Sequence, residues 1–299
     1  MTDSERPTVR QPGKRGLRES HAPDGLKLHN LRVAPQSALV LPPPTADVGN
    51  GLWDWGMLGN GPDPHNLPCY PYGAGDCGPA MTEHARMAKA AIDGTLPPSF
   101  RPPHTPYTQT LYIDYQHAMG ETGSCPDNGV DNLSWFTWMY QQTKTQPGID
   151  VLAFAEVDLT NLPAGWTEAD VIHRAMIDFH GVCVGVLLPN EAEGQFMRAE
   201  PWSVSPTDEP NPNVAHDVFL AAYGAPPKGL NQAGIAYSQV DRAADWFVTW
   251  GDWQGATVAW DSAAITDAWV ILTEEDANRA GYDYAQAITE IESMINGNA

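Results

Sequence analysis

The sequence predicts an α+β domain in which a helical part comes first and an antiparallel sheet follows. Two observations predict this order. Residues 77–143 contain segments with the 3.6-residue apolar spacing of buried helices. Residues 182–272 contain several short apolar runs of strand length, separated by Gly, Pro and Asp residues. Because strands and helices do not alternate regularly, the pattern favours an antiparallel sheet over a doubly wound parallel sheet.

The predicted helices begin at residues that favour a helix start. Cys77 opens the first helix, whose apolar stripe includes Met81 and Met87. Asp131 can cap the third helix, and Thr167 opens a segment with the form of a capping box. The helices are predicted at residues 77–92, 108–119, 131–143, 167–180 and 282–295.

The predicted strands are apolar runs that end at Pro, Gly or polar residues. The run 182–188 ends at Pro189, and the run 214–223 ends before Gly224. The strands are predicted at residues 149–157, 182–188, 214–223, 234–237, 246–250 and 268–272.

The charge of the chain is strongly negative and unevenly distributed. The formal net charge is −21 at pH 7. Residues 1–35 contain seven Lys or Arg and four Asp or Glu, a net of +3, which leaves −24 for the remainder. An acidic surface repels nucleic-acid phosphate, so we expect no nucleic-acid partner. No apolar run has the length of a membrane span, so we expect no span either.

Residues 1–46 are predicted to form an extended N-terminal arm, and residues 47–299 the folded domain. The arm is rich in Pro, Gly and Arg and has few large apolar residues. Its short apolar islands at residues 26–28 and 38–41 are the expected anchors on a neighbouring subunit or on the domain's own surface. A basic arm beside an acidic domain indicates a subunit of a larger assembly.

A candidate nucleophile and a candidate base lie far apart in the sequence. Cys77 follows Asp76 at the start of a predicted helix, where free backbone N–H groups and the helix dipole favour a thiolate. His216 begins an apolar strand, which would hold its imidazole rigidly beside a cleft. We therefore predict a Cys77–His216 dyad with side chains within about 4 Å of each other.

Other chemistries remain open for the same residues. His65, Cys69, Cys77 and His84 could form a metal set, although zinc sites normally use closer paired spacings. A Cys69–Cys77 disulfide would remove the nucleophile. The Trp-rich segments could form a carbohydrate site, but they fall mostly in helix and strand patterns and favour core packing. We expect neither a metal nor a cofactor.

Several motifs together resemble a known family. In chain order they are Trp55-Gly56-Met57-Leu58-Gly59-Asn60, Gly75-Asp76-Cys77, Asp127-Asn128-Gly129, the His216 strand, Val248-Thr249-Trp250-Gly251 and Asp267-Ala268-Trp269-Val270-Ile271-Leu272. They are similar to motifs in a group of actinobacteriophage-associated proteins that looks like a branch of the papain-like cysteine peptidases. The resemblance covers roughly residues 47–295 and does not include the arm.

The resemblance implies a papain-like fold and a role for each matched residue. Cys77 would be the nucleophile, His216 the general base and Asn60 a donor in the oxyanion hole. The insert at residues 61–74 separates Asn60 from the Cys77 motif. Papain-like enzymes place an Asn or Asp before the Trp-Gly pair. The matching positions hold Val248, which cannot orient an imidazole, and Thr249, which can.

Two functions follow from these predictions. The first is a virion structural protein, a minor tail or capsid-associated subunit that contacts other virion proteins through its arm. Such a subunit would be assembled in the host cytoplasm and would reside in the phage particle. The second is an active thiol hydrolase that cleaves peptide or amide bonds in a virion protein or in the host cell wall. Fold alone does not choose between the two, so the environment of Cys77 has to decide.

Overall fold

The computed structural model describes residues 21–33, 41–47, 76–92, 106–126, 128–144, 151–227, 244–250 and 252–297. The helices of this part are α1 (Cys77–Ile92), α2 (Pro106–Ala118), α3 (Asn132–Thr143), α4 (Glu168–Phe179), α5 (Ala192–Met197), α6 (Val258–Ala264), α7 (Glu274–Ala280) and α8 (Tyr284–Ile295). The strands are β1 (Ala46–Asp47), β2 (Ala153–Glu156), β3 (Val182–Leu187), β4 (Ala215–Tyr223), β5 (Asp245–Thr249), β6 (Asp252–Ala256) and β7 (Ile265–Leu272).

The strands form one antiparallel sheet with the order β2-β7-β3-β4-β5-β6, and β1 pairs with β4 beside this path. This architecture confirms the predicted α+β class. The predicted strand at residues 234–237 lies outside the described residues. Among the residues that the structure does describe, no helix is both long and apolar enough to cross a membrane.

Local capping explains where two of the central helices begin. The side chain of Asp131 accepts a hydrogen bond from the Ser134 backbone N–H at 2.8 Å, which satisfies one free donor at the start of α3. Thr167 and Asp170 form a reciprocal capping box at the start of α4. Both helices therefore begin within one residue of the position that the sequence predicts.

The centre of the sheet is covered on both faces. Val218, Phe219, Leu220 and Ala221 are consecutive residues of β4, and all four are buried. Since consecutive strand residues point to opposite faces, each face of β4 must be packed. Helix α1 packs against β4, while α4 packs against β3 and β7. Helix α3 joins α1 through a 2.8 Å hydrogen bond from Trp135 Nε1 to Thr82 Oγ1.

Residues 21–33 belong to the core of the domain. Leu26, Leu28 and Leu31 are 0–4% exposed and pack in the main hydrophobic cluster. The Leu28 backbone N–H donates to the Glu156 carbonyl of β2 at 2.7 Å. This segment of the predicted arm at residues 1–46 therefore packs against the predicted domain at residues 47–299, and residues 26–28 lie on the domain itself, one of the two places expected for this anchor. Composition alone did not indicate this burial, because these leucines are buried by distant parts of the chain rather than by their neighbours.

Candidate functional site

Helix α1 places Cys77 over the middle of the sheet. Cys77 is the first residue of α1, which contacts β3, β4 and β5. Its sulfur is not part of a disulfide, so the alternative of a Cys69–Cys77 disulfide is wrong. Its sulfur lies 3.5 Å from Asp217 Oδ2 of β4, and the geometry is that of a thiol donating to a carboxylate. Within the described part of the chain, this contact places an acid beside the candidate nucleophile.

The surroundings of Cys77 keep its thiol protonated. Burial raises the pKa of Cys77 well above its ordinary value, and the negative charge of Asp217 raises it further. Both effects oppose the stabilisation of a thiolate that we expected from the helix start. Desolvation and a neighbouring anion therefore outweigh the helix dipole at this site.

A buried polar cluster extends from Cys77 across three strands. Asn132 Nδ2, in the first turn of α3, donates to Asp217 Oδ1 at 3.0 Å and to Asp267 Oδ1 of β7 at 2.9 Å. Gly185 of β3 lies between the two acids and pairs with both of them. A Cβ atom on Gly185 would come within 2.6 Å of Asp267 Oδ2, so a glycine makes room for this carboxylate. We call Cys77, Asn132, Gly185, Asp217 and Asp267 the Cys77 cluster.

The two acids of the Cys77 cluster are both buried, and burial disfavours their charged forms. Burial, together with the charge of Asp267, raises the pKa of Asp217 to about 7, against hydrogen bonds from Asn132 and Cys77 that lower it. Burial also raises the pKa of Asp267, although Asn132 and Trp269 donate to its carboxylate. Asp217 can therefore gain or lose a proton near neutral pH.

His216 points to the face of the sheet opposite Asp217. The pairing of β3 with β4 is regular at both residues, with Val186 opposite His216 and Gly185 opposite Asp217. In a regular strand consecutive side chains alternate between the faces, so Asp217 faces Cys77 and His216 faces away from it. This alternation argues against the predicted Cys77–His216 contact. The register of β4 decides which of the two side chains faces Cys77. A one-residue shift in register would place His216, instead of Asp217, on that face.

His216 is a buried neutral imidazole in an aromatic environment. Its Nε2 and Thr249 Oγ1 are 2.6 Å apart and share a hydrogen bond, and its ring stacks on Trp250 with centroids 5.0 Å apart. Burial lowers the pKa of His216 to about 3. Trp250 adopts a left-handed φ of 47°, which is costly for a bulky residue. Its stacking on His216 and its edge contacts with Phe196 and Trp202 help to offset this strain.

The structure places the three predicted catalytic residues that it describes in two different environments. Thr249 contacts His216, Cys77 contacts Asp217, and Asn60 lies outside the described residues. Asn132, Asp217 and Asp267 were not predicted as site residues. Asp217 could have been found as the alternative to His216, since the two neighbours on a strand must face opposite sides.

The alternative of a metal site concerns residues that the structure describes only in part. Within the described part of the chain, no group of three or more His, Cys, Asp or Glu side chains is arranged to hold a metal ion. His65 and Cys69 of the alternative metal set lie outside that part.

Comparisons with known proteins give one structural similarity. No family model and no curated protein matches the sequence. Among solved structures, the chain is similar to xylellain, a cysteine protease from Xylella fastidiosa, with 14% sequence identity and a TM-score of 0.45. The match covers 89% of this chain and 98% of xylellain.

Proposed function

We propose that this chain is a structural subunit of a phage particle, built on a papain-like arrangement in which Cys77 and His216 do not form a dyad. The observation that carries the proposal is the 3.5 Å contact between the Cys77 thiol and the Asp217 carboxylate, with His216 on the opposite face of the sheet. A papain-like mechanism needs an imidazole beside the thiol to accept its proton. The contact that the described residues give the Cys77 thiol is with the Asp217 carboxylate.

The location in a virion rests on the motif resemblance and on the distribution of charge. Residues 1–20 contain five Lys or Arg, whereas the chain as a whole carries −21. In this proposal these basic residues contact acidic surfaces of neighbouring subunits, because residues 21–33 are already used within the domain. Purified particles of the source phage should then contain the chain in a fixed copy number, measured by quantitative mass spectrometry. Its absence from intact particles would refute the virion assignment.

Cys77 is expected to react slowly with iodoacetamide in the folded protein. Because the raised pKa leaves little thiolate at neutral pH, alkylation should be at least about ten-fold slower than in the urea-unfolded chain. Mass spectrometry of peptides after timed labelling measures the rate, and buried Cys183 is the internal control. Faster labelling of Cys77 in the folded chain than in the unfolded chain would contradict a scaffold role.

The contact between the Cys77 thiol and the Asp217 carboxylate supports a second candidate function. This function is thiol-dependent hydrolysis with Asp217 as the general base. Asp217 is within reach of the Cys77 proton, and a base is most effective when its pKa lies near the working pH. Asp217 would accept the thiol proton while the sulfur bonds to the acyl carbon of a peptide or amide. The proton would then pass to the leaving nitrogen as the carbon–nitrogen bond breaks, and water would release the acyl group from Cys77.

Hydrolysis through Asp217 has a distinct mutational pattern. If the chain cleaves a fluorogenic peptide library, Asp217→Asn and Cys77→Ala should each reduce kcat/KM by at least about 100-fold. His216→Gln should change it less than about three-fold, since His216 lies on the other face. Loss of activity with His216→Gln, in a variant of unchanged far-UV circular dichroism, would instead support the dyad predicted from the sequence. No cleavage by the parent chain would leave the structural role as the better proposal.

A further inference from the structure

The Cys77 cluster contains a second buried acid, Asp267, that neither candidate function uses. Asp217 and Asp267 lie on the same face of the sheet, because each of them pairs with Gly185 of β3, one from either side. Asn132 Nδ2 donates to one oxygen of each acid, at 3.0 Å for Asp217 and 2.9 Å for Asp267. An amide nitrogen has two hydrogens, so this bridge uses both of them and holds the two carboxyl groups side by side.

Both acids are buried, and the hydrogen bonds that the described residues give them come from neutral donors. Asp217 and Asp267 are 8% and 7% exposed. Asp217 accepts a hydrogen bond from the Cys77 thiol. Asp267 accepts one from Trp269 Nε1 at 2.7 Å and one from Thr266 Oγ1 at 3.4 Å. Without a cation among these partners, two buried negative charges repel each other, so the pair favours a state with one charge and one proton.

The hydrogen bonds decide which of the two acids ionises first. Asp267 accepts from two N–H donors, Asn132 Nδ2 at 2.9 Å and Trp269 Nε1 at 2.7 Å. Asp217 accepts from one N–H donor and from the Cys77 thiol at 3.5 Å, and a thiol is a weak donor. Hydrogen bonds to a carboxylate stabilise its charged form. Asp267 is therefore the acid that carries the charge, and Asp217 is the acid that carries the proton.

The other charged groups that face the pair act in the same direction. Asp131, the N-cap of α3, raises the pKa of both acids, and Glu156 of β2 raises the pKa of Asp267. Three further titratable groups nearby have raised pKa values and stay neutral near pH 7, namely Cys77, Cys183 and Tyr115. Among the charges that act on Asp217, the negative charge of Asp267 has the largest effect.

We propose that Asp267 is a positioning residue that keeps a proton on Asp217 and so sets the protonation state of the group beside the Cys77 thiol. This inference deepens the hydrolytic candidate function, and its consequence for catalysis rests on that function. A carboxylate with the ordinary pKa of about 4 is a weak base toward a thiol. Raising the pKa of Asp217 to about 7 makes it a stronger base at neutral pH. The acid pair itself can be measured whether or not the chain cleaves a substrate.

Titration of the aspartate side chains by carbon-13 NMR tests the proposal on the full-length chain. Aspartate is labelled at its carboxyl carbon, and the Asp217 signal is identified by its loss in Asp217→Asn. In the parent chain Asp217 should titrate near pH 7. Asp267→Asn removes the neighbouring charge and nearly keeps the shape, so it should lower this midpoint by at least about one pH unit, a ten-fold loss of proton affinity. Asp131→Asn is the matched control, since Asn also caps helices, and it should shift the midpoint by less than about 0.3 pH units.

A variant of the bridging residue separates a change of charge from a general disturbance of the site. Asn132→Leu keeps both acids and a side chain of similar size but removes the two N–H donors, so it should raise the Asp217 midpoint. Entry of water into a loosened site would instead lower the midpoint in both variants, toward the ordinary value of about 4. An unchanged midpoint in Asp267→Asn, a lowered midpoint in Asn132→Leu or an ordinary Asp217 pKa in the parent chain would each overturn the proposal. These outcomes need no substrate, so they are distinct from a failure of the hydrolytic function, which would show as no cleavage by the parent chain.

Discussion

A chain that begins at residue 34 is expected to lose its cooperative unfolding transition. The truncation removes Leu26, Leu28 and Leu31 from the core, together with backbone hydrogen bonds to Glu156 and Gly281. Each buried leucine contributes about 2–5 kcal/mol relative to alanine. Three such losses reach the whole stability of a typical domain, which is about 5–15 kcal/mol. Thermal and urea unfolding followed by circular dichroism measure the effect.

Single substitutions test the contribution of these leucines to stability without removing any backbone. Leu26→Ala should lower the free energy of unfolding by about 2–5 kcal/mol, since Leu26 is fully buried. Leu41→Ala is the matched control, because Leu41 is 55% exposed and its truncation should change the stability by less than about 0.5 kcal/mol. A truncated chain with an unchanged melting temperature would show that residues 21–33 are a dispensable arm after all.

The sequence was sufficient for elements that have strong local signals. Helix α1 spans the predicted residues 77–92, and α3 and α4 follow the predicted caps at Asp131 and Thr167. Shorter elements, such as α5, α6, α7 and β6, were not predicted, because five to seven residues give too little periodicity. Capping side chains do mark two of them, since Thr257 and Thr273 cap α6 and α7.

The candidate site could be predicted only in part, since it depends on which face of β4 meets α1. An alternation of apolar and polar residues would have shown this, but the residues after Asp217 are apolar on both faces. The sequence therefore predicts the strand that faces Cys77, but it favours His216, a common general base, over its neighbour. The bridging role of Asn132 depends on contacts 85 and 135 residues away, which no local pattern contains.

Replacing His216 and Asp217 separately is expected to change the pH dependence of stability in opposite directions. Burial lowers the pKa of His216 to about 3 in the folded chain. Between this value and the ordinary value of about 6.5, the unfolded chain binds a proton that the folded chain does not. The contribution of His216 to the free energy of unfolding therefore decreases as the pH falls through this range.

Asp217 changes the free energy of unfolding in the opposite direction to His216 as the pH falls. Its pKa is raised to about 7 in the folded chain, mainly by burial and then by the charge of Asp267. Between about pH 4 and pH 7 the folded chain holds a proton that the unfolded chain releases. The contribution of Asp217 to the free energy of unfolding therefore increases as the pH falls. In the parent chain the two contributions oppose each other from about pH 6.5 to pH 4.

Urea unfolding at about pH 6.5 and about pH 4.5 separates the two groups. Relative to the parent chain, Asp217→Asn should lose about 2–3 kcal/mol of stability between these pH values, and His216→Gln should gain about the same. The double variant should return to the parent slope, because the remaining carboxylates are common to all four chains. A Cys77–His216 ion pair would raise the pKa of His216 and reverse the sign for His216→Gln. That reversal would mean that β4 presents His216, and not Asp217, to the thiol.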